Sequence, residues 1–199
     1  MSVGRMRRRV NGGTHGADLI MNRNVKLEPW RTQHAQPILD LLMAEGDELV
    51  RREPWRPLDF LTLSGQQRRA AAIEALVADE KGAHFVILVD NDVVGTVGLD
   101  WAAADLTPGE AQIGYWIARC YRRQGFATVA VCLALDEAVQ LGYGRVRANV
   151  ASKNEASIAL LQRLGFSREP ETIQMENDTR AHLRFSRWLT LVELSRPHR

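Results

Sequence analysis

The sequence predicts an α/β (α+β) fold, in which one mixed sheet carries helices on both faces. Short runs of β-branched and aromatic residues come in pairs joined by tight turns, both before residue 101 and after residue 166. Between these pairs lies a strand, a long apolar-periodic helix and a second strand. Hairpins pair their strands antiparallel, whereas a strand-helix-strand crossover pairs them parallel. A chain of 199 residues suffices for one such domain with a substantial core.

Composition narrows the class of protein. Apolar residues make up 45% of the chain and the formal net charge is +2, so charge gives no strong case for a nucleic-acid partner. No apolar run approaches the roughly twenty residues of a membrane span. The two cysteines, Cys120 and Cys132, are expected to be free thiols in the reducing cytoplasm. The histidines show no metal-ligand spacing with each other or with the cysteines, so no metal site is predicted.

The chain ends are expected to lie outside the folded domain. Residues 1–21 carry a cluster of arginines, but no apolar stretch follows it, which excludes a secretory signal. This segment is predicted to be a disordered basic arm. The single domain is expected to span residues 22–194, with 195–199 as a tail.

The N-terminal half alternates between strands and helices. Thr32 and Ser64 are each positioned to cap a helix with a hydroxyl group. The Asn91-Asp92 pair between two apolar runs is typical of a hairpin turn. The predicted elements are a strand at 24–28, helices at 32–46 and 64–82 around an irregular segment at 47–63, and a hairpin at 84–90 and 93–101.

The C-terminal half follows a loop at 102–109. Its predicted elements are a strand at 112–118, a helix at 126–141, a strand at 145–150, a helix at 154–164, and a hairpin at 166–173 and 181–192. His84 and His182 fall on predicted strands and are expected to be structural. The last hairpin is expected to leave an exposed strand edge, which would suit a homodimer.

The turn between the strand at 112–118 and the helix at 126–141 predicts an anion site. The first N–H groups of a helix lack intrahelical partners, and the aligned peptide dipoles place partial positive charge there. Arg122 and Arg123 add two charges, and Gly125 lets a bulky anion approach the backbone without meeting a Cβ. The expected ligand is a phosphate or diphosphate group.

The residues of this turn do not match a P-loop or a dinucleotide fingerprint. They form R-x-x-G-x-A at Arg122, Gly125 and Ala127, and N-x-x-S-x-x-L-x-x-x-G-F follows from Asn154 to Phe166. This pair of motifs resembles the coenzyme A signature of the GNAT N-acetyltransferase superfamily. The IGYWI strand and the N-x-x-S form resemble the RimJ/RimL-like branch, whose members acetylate the N-termini of ribosomal proteins.

The resemblance, which covers roughly residues 22–194, implies a fold and an activity. The fold would be a mostly antiparallel twisted sheet whose central strands, ending near Ala118 and Val150, splay apart to admit coenzyme A. The activity would be direct transfer of an acetyl group from acetyl-CoA, the co-substrate, to a primary amine. The preferred acceptor is a protein N-terminal amine. Two alternatives stay open: a small amine such as an antibiotic, polyamine or amino acid derivative, and a catalytically weak coenzyme A sensor or docking protein.

The resemblance also assigns coenzyme-binding residues. The backbone of Trp116, Ile117 and Ala118 would run beside the pantetheine arm, and a free N–H near Ile117 or Ala118 would stabilise the oxyanion. Asn154 would contact the coenzyme arm, although asparagine is also a good helix N-cap. The diphosphate would lie against the loop residues Arg122, Arg123, Gln124, Gly125, Phe126, Ala127 and Thr128.

Catalytic residues are less well defined by the motifs. Where many relatives have a tyrosine that protonates the thiolate, this chain has Leu161. Ser157 is the remaining candidate acid, or else a small residue that lets the coenzyme pass. Where relatives often have a glutamate base, this chain has Gln112, which cannot act as a base. Glu110, two residues earlier on the same face of the strand, either acts as a base through water or is a surface charge. Trp55 and Asn149 are the candidate acceptor-side residues.

Overall fold

A computed structural model describes residues 23–46, 57–174, 178 and 180–190, and these residues form seven strands and four α-helices. The strands are β1 (Val25–Pro29), β2 (Gly82–Val89), β3 (Asp92–Asp100), β4 (Glu110–Ile117), β5 (Arg145–Ala151), β6 (Ser167–Gln174) and β7 (Ala181–Trp188). The helices are α1 (Ala35–Glu45), α2 (Leu63–Ala78), α3 (Phe126–Gln140) and α4 (Glu155–Arg163).

All seven strands join one open sheet in the order β1-β2-β3-β4-β5-β7-β6. Every neighbouring pair is antiparallel except β4 and β5, which run parallel across the α3 crossover. The predicted mixed, mostly antiparallel sheet is confirmed. The edge strand β6 belongs to the last hairpin, as expected, and the homodimer stays a prediction.

Two hydrophobic clusters hold the helices to opposite faces of the sheet. Val97, Ile113 and Val146 point to one face, where they pack against Phe126 and other apolar residues of α3, and against Leu161 of α4. Val86 and Leu88 lie in the second cluster with apolar residues of α1 and α2, including Ile38, Leu42 and Ala70. Among the described residues, α1 and α2 cover only the β1 to β4 end of their face. The rest of that face carries polar side chains, among them Arg145, Arg147 and Asn149.

Several predicted boundaries shift by a few residues. Thr32–His34 forms a short 3₁₀ turn, and α1 begins only at Ala35. The cap of α2 is Thr62 rather than Ser64, and its side chain accepts a hydrogen bond from the Gly65 N–H. β4 begins at Glu110, two residues before the predicted start. The acceptor-side candidate Trp55, the arm at 1–21 and the tail at 195–199 lie outside the described residues.

Candidate active site

The parallel strands β4 and β5 are joined over three residue pairs only. The pairs are Glu110 with Arg145, Ala111 with Val146 and Gln112 with Arg147. β4 continues to Ile117 and β5 to Ala151, but beyond these three pairs the two strands no longer pair with each other. A gap therefore opens between the central strands, widening toward their C-terminal ends.

The backbone of β4 offers hydrogen-bond donors to this gap. The Ala118 N–H donates to the Val94 carbonyl oxygen on the β3 side, at 2.9 Å. Amides alternate in direction along an antiparallel pair, so the Trp116 N–H faces β3 as well. The N–H groups of Tyr115 and Ile117 face the opposite side, where pairing with β5 has ended. The Ile117 carbonyl follows the same alternation, because it accepts a hydrogen bond from Arg122 Nε.

This alternation corrects one residue of the predicted oxyanion site, because the Ala118 N–H is not free but donates to the Val94 carbonyl oxygen. The Trp116 N–H, predicted to lie beside the pantetheine arm, also points away from the gap. Ile117 stays a prediction, and the Tyr115 N–H is a further amide facing the gap that the sequence interpretation did not name. The alternation of a strand predicts this orientation of the Tyr115 N–H as soon as the Ala118 N–H is assigned to Val94.

The loop after β4 ends at a helix N-terminus without a side-chain cap. Gly125 is the N-cap residue of α3, and its φ of 82° lies in the left-handed region that glycine adopts without strain. The first N–H with a backbone partner there is that of Val129, which donates to the Gly125 carbonyl. The amides of Phe126, Ala127 and Thr128 are therefore available to an anion, as a diphosphate site requires.

The two loop arginines differ in their surroundings. Arg122 donates from Nε to the Ile117 carbonyl oxygen at 2.9 Å and from Nη2 to Glu45 Oε2 at 2.6 Å. Glu45 is buried at the end of α1, and its other oxygen accepts from the Arg119 N–H. Arg122 thus ties the loop to β4 and α1. Arg123 is exposed, has a φ of 64°, and forms no ion pair among the described residues.

Three other predicted coenzyme contacts lie around this loop and α4. Gln124 donates from Nε2 to the Cys120 carbonyl oxygen at 3.1 Å. Asn154 caps α4, where its Oδ1 accepts from the Ser157 N–H at 3.3 Å. Asn154 remains exposed, so capping leaves its amide nitrogen accessible to a ligand. Leu161 is fully buried in the core beneath α4.

A tyrosine hydroxyl lies next to Ser157. Burial raises the pKa of Tyr115, and the nearby Ser157 side chain only partly offsets the rise. Among the described residues, Tyr115 Oη is buried and has no partner in hydrogen-bonding geometry. An unpartnered hydroxyl beside a second hydroxyl, on the strand that borders the gap, is suited to donate a proton or a hydrogen bond.

Glu110 lies at the closed end of the gap. It is buried and ion-paired with Arg145 at 2.7 Å and with Arg147 at 3.1 Å, and it accepts a hydrogen bond from the Thr107 N–H. Burial raises the pKa of Glu110, but hydrogen bonds from Thr107 and Arg145 and the charge of Arg147 outweigh it, so the pKa is lowered. A carboxylate held in this way is a weak base, and its surroundings favour a structural role.

Asn149 bridges the strands just beyond their last backbone pair. Its Nδ2 donates to Gln112 Oε1 at 3.0 Å, and its Oδ1 accepts from Arg184 Nε at 3.4 Å. Arg184 also pairs with Asp105 of the β3-β4 loop. These side chains form a polar rim at the apex of the gap, on the face that α1 and α2 leave uncovered.

Comparison with known proteins decides the family. Residues 24–167 match the acetyltransferase (GNAT) domain, which is well over half of the chain. The chain belongs to the GNAT acetyltransferase family. A probable N-acetyltransferase, YjcK of Bacillus subtilis, is 26% identical over 157 residues, covering 76% of this chain and 84% of the relative.

Solved structures of GNAT proteins share the fold. Mycobacterium smegmatis RimJ in complex with CoA-disulfide is 25% identical, with a TM-score of 0.72 over 86% of this chain and 84% of RimJ. A ribosomal-protein-S5-alanine acetyltransferase from Vibrio fischeri has a TM-score of 0.68 at 23% identity, over 83% of this chain and 92% of that one. This GNAT chain is thus an acetyl-CoA-dependent N-acetyltransferase, and the resemblance to the RimJ/RimL branch is confirmed.

The described residues contain neither a membrane-spanning helix nor a metal-binding cluster. None of the helices described is long and apolar enough to span a bilayer. Within the same residues, no cluster of three or more histidine, cysteine or acidic side chains could hold a metal ion.

Proposed function

We propose that this GNAT enzyme acetylates the N-terminal amine of a protein or peptide. The observation that carries the activity is the β4-β5 gap, which presents the Tyr115 and Ile117 amides beside the uncapped N-terminus of α3. An extended coenzyme arm can add to the free edge of β4 in the manner of an extra strand. Its diphosphate would then meet the amides of residues 126–128.

The protein would stabilise the reaction mainly through backbone dipoles. The thioester is at the far end of the arm from the diphosphate, so it lies closer to the apex of the gap than Ile117 does. The Tyr115 N–H is then the nearest donor for the developing oxyanion. One such donor typically contributes about 3 kcal/mol to lowering the barrier. Ser157, with Tyr115 Oη beside it, would protonate the departing thiolate.

The acceptor class is supported by the open face of the sheet. Gly114, in the middle of β4, is exposed, and the described side chains around the apex carry both signs of charge, from Asp105 to Arg184 and Arg147. A mixed, open rim suits a peptide better than a small polycation, which an acidic pocket would favour. The RimJ likeness points the same way. An N-terminal amine also loses its proton near pH 8, whereas lysine requires about pH 10.4.

A panel of acceptors tests this proposal. Purified enzyme and acetyl-CoA are incubated with free-N-terminus peptides, with the same peptides carrying a blocked N-terminus and one lysine, and with polyamines and aminoglycosides. Thiol release measures turnover, and mass spectrometry locates the acetyl group. We expect the highest kcat/KM on free N-termini. Turnover confined to lysine side chains or small amines would contradict the proposal.

A further inference from the structure

His84 and Asp100 form a hydrogen-bonded pair on the face of the sheet that carries the apex rim. His84 Nε2 lies 2.9 Å from Asp100 Oδ1, and the two residues sit on the adjacent strands β2 and β3. The His84 side chain is 16% exposed and that of Asp100 is 38% exposed. The pair is therefore sheltered yet reachable from the surface.

The imidazole extends over β3, where a glycine leaves room for it. His84 is directly opposite Gly98, and a Cβ added to Gly98 would fall 2.2 Å from His84 Nδ1. Any side chain at residue 98 would displace the ring. Gly98 thus brings the Nδ1 edge of the ring one strand closer to β4.

Beyond Gly98 the same row of the sheet reaches open space on β4. Gly98 is directly opposite Gly114, and no described atom lies within 4 Å of the position where a Gly114 Cβ would be. Adjacent strands are about 4.8 Å apart, so the ring is roughly one strand spacing from the space above Gly114. The next residue along β4 is Tyr115, whose N–H faces the gap. The open space above Gly114 therefore lies next to the imidazole on one side and next to the Tyr115 amide on the other.

The hydrogen bond to Asp100 fixes the role of each ring nitrogen. A carboxylate accepts, so Nε2 carries the proton of the neutral ring and Nδ1 carries the lone pair. Among the described residues, Nδ1 has no hydrogen-bond partner. A carboxylate placed behind an imidazole also stabilises the imidazolium that forms when the ring takes up a proton.

We propose that His84, oriented by Asp100, is the general base that deprotonates the acceptor amine above Gly114. The inference rests on the proposed acetyl transfer to an amine. His84 Nδ1 takes one proton from the ammonium group, directly or through one water, and later releases it to solvent. The neutral amine forms a C–N bond to the thioester carbon, the C–S bond breaks, and the second amine proton ends on the coenzyme thiolate.

Other charged groups on this face of the sheet have partners of their own. Glu110, on the same face of β4, is bound by Arg145 and Arg147. Arg69 of α2 lies over the ring of Trp30, and the backbone N–H of Trp30 donates to the His84 carbonyl oxygen. Gln112, opposite Asp100, carries no charge. Asp100 is thus the charged group in direct contact with the ring.

The decisive variant is His84→Gln, assayed on a free-N-terminus peptide across pH 5.5–9.5. We expect kcat/KM at neutral pH to fall about 100-fold or more, as loss of a general base does. The defect should shrink above about pH 8, where α-amines are already neutral. Coenzyme A affinity by calorimetry should be unchanged. A His84→Gln enzyme with the wild-type rate and pH profile would overturn the inference.

Two further variants separate proton transfer from a structural role. Asp100→Asn removes the negative charge that faces the imidazolium, so kcat/KM at neutral pH should also fall, by a smaller factor than in His84→Gln. Gly98→Ala should reproduce the rate loss of His84→Gln by displacing the ring. His34→Gln is the matched control, because His34 forms a similar pair with Glu28 at 3.1 Å on β1. An equal loss of kcat/KM in His34→Gln would show that His84 has a structural role only.

A measurement without turnover distinguishes this inference from the proposed function. Long-range ¹⁵N–¹H spectra of the full-length protein report the tautomer of each imidazole, and His84→Gln assigns the signal. The Nε2–H tautomer supports the inference, and an Nδ1–H tautomer overturns it. Absence of thiol release with every amine would instead refute the acceptor proposal, and the tautomer would still be read.

Discussion

At the scale of single residues, the Tyr115 hydroxyl is a group that lowers the stability of the fold and is available for the reaction. A buried hydroxyl without a partner lowers the stability of a fold, since water no longer solvates it. Tyr115 Oη is such a group, and it lies beside Ser157 on the coenzyme side of β4. Side chains that cost stability in the free protein are often those that a ligand or a reaction uses.

We expect Tyr115→Phe to lower kcat about tenfold or more while the free energy of unfolding stays the same or rises by up to about 1 kcal/mol. Ser157→Ala should lower kcat more than it raises KM if its hydroxyl donates the proton. Steady-state kinetics and urea unfolding of both variants check these effects. Unaltered kcat in both would leave Ser157 as a spacer and Tyr115 as core.

At the scale of elements, Glu45 joins α1 to the diphosphate loop. Its carboxylate accepts from the Arg119 N–H and from Arg122, which in turn holds the Ile117 carbonyl. One buried side chain therefore fixes both the end of β4 and the loop that begins α3. The conformation of the loop depends on a residue that lies 74 and 77 positions before its two loop partners.

Glu45→Ala should destabilise the fold by about 2 kcal/mol, less than for a fully buried pair because Arg122 is partly exposed. It should also weaken coenzyme A binding about tenfold, since the freed loop must be ordered again on binding. Calorimetry and thermal unfolding measure the two effects. Glu74→Ala is the control, because Glu74 accepts from the Thr32 N–H far from the loop. Equal losses of affinity in both variants would contradict the specific role of Glu45.

The loop before α3 shows which parts of the site could be predicted from the sequence. The strand-loop-helix pattern and Gly125 were local signals, so the loop, the helix start and the central strand could be predicted. Arg122 was expected to face the ligand, but its partner Glu45 is brought close only by tertiary packing. The His84 site depends on which residues of β2, β3 and β4 stand opposite each other, with separations of 14 and 16 residues between them. Strand register of that kind is set by the whole sheet.

At the scale of the whole molecule, the two halves of the sheet meet at the short β4-β5 seam. The gap needs the strands to part, so only three residue pairs hold them together. Side chains reinforce this seam: Glu110 and Glu169 pair with Arg145, and Arg145 also donates to Ser186 on β7. The ion network thus links β4, β5, β6 and β7 where backbone pairing is shortest.

Carboxylates with lowered pKa values, one of them in this network, make stability depend on pH. The folded-state pKa of Glu110 is lowered: burial raises it, but hydrogen bonds from Thr107 and Arg145 and the charge of Arg147 outweigh the burial. Hydrogen bonds from Arg180 likewise lower the pKa of Asp178 from 3.8 to about 2. A lowered carboxyl pKa stabilises the fold above the unfolded-state value, and the stabilisation is lost as pH falls through the folded-state value. The free energy of unfolding should therefore decline from about pH 4.5 downward.

Glu110→Gln tests whether the seam carries this dependence. We expect a loss of about 2–4 kcal/mol at pH 7, because the partly buried Arg145 and Arg147 keep only Glu169 as a carboxylate partner, and a shallower decline below pH 4.5. Urea unfolding at a series of pH values measures both, with the exposed pair variant Asp79→Asn as a control that should change stability by less than about 0.5 kcal/mol. A decline parallel to that of the wild type would contradict the seam argument. Glu110 was also a candidate base, so the kcat of the folded Glu110→Gln enzyme is measured as well. If the carboxylate is structural, this kcat stays near the wild-type value, whereas the kcat of His84→Gln falls.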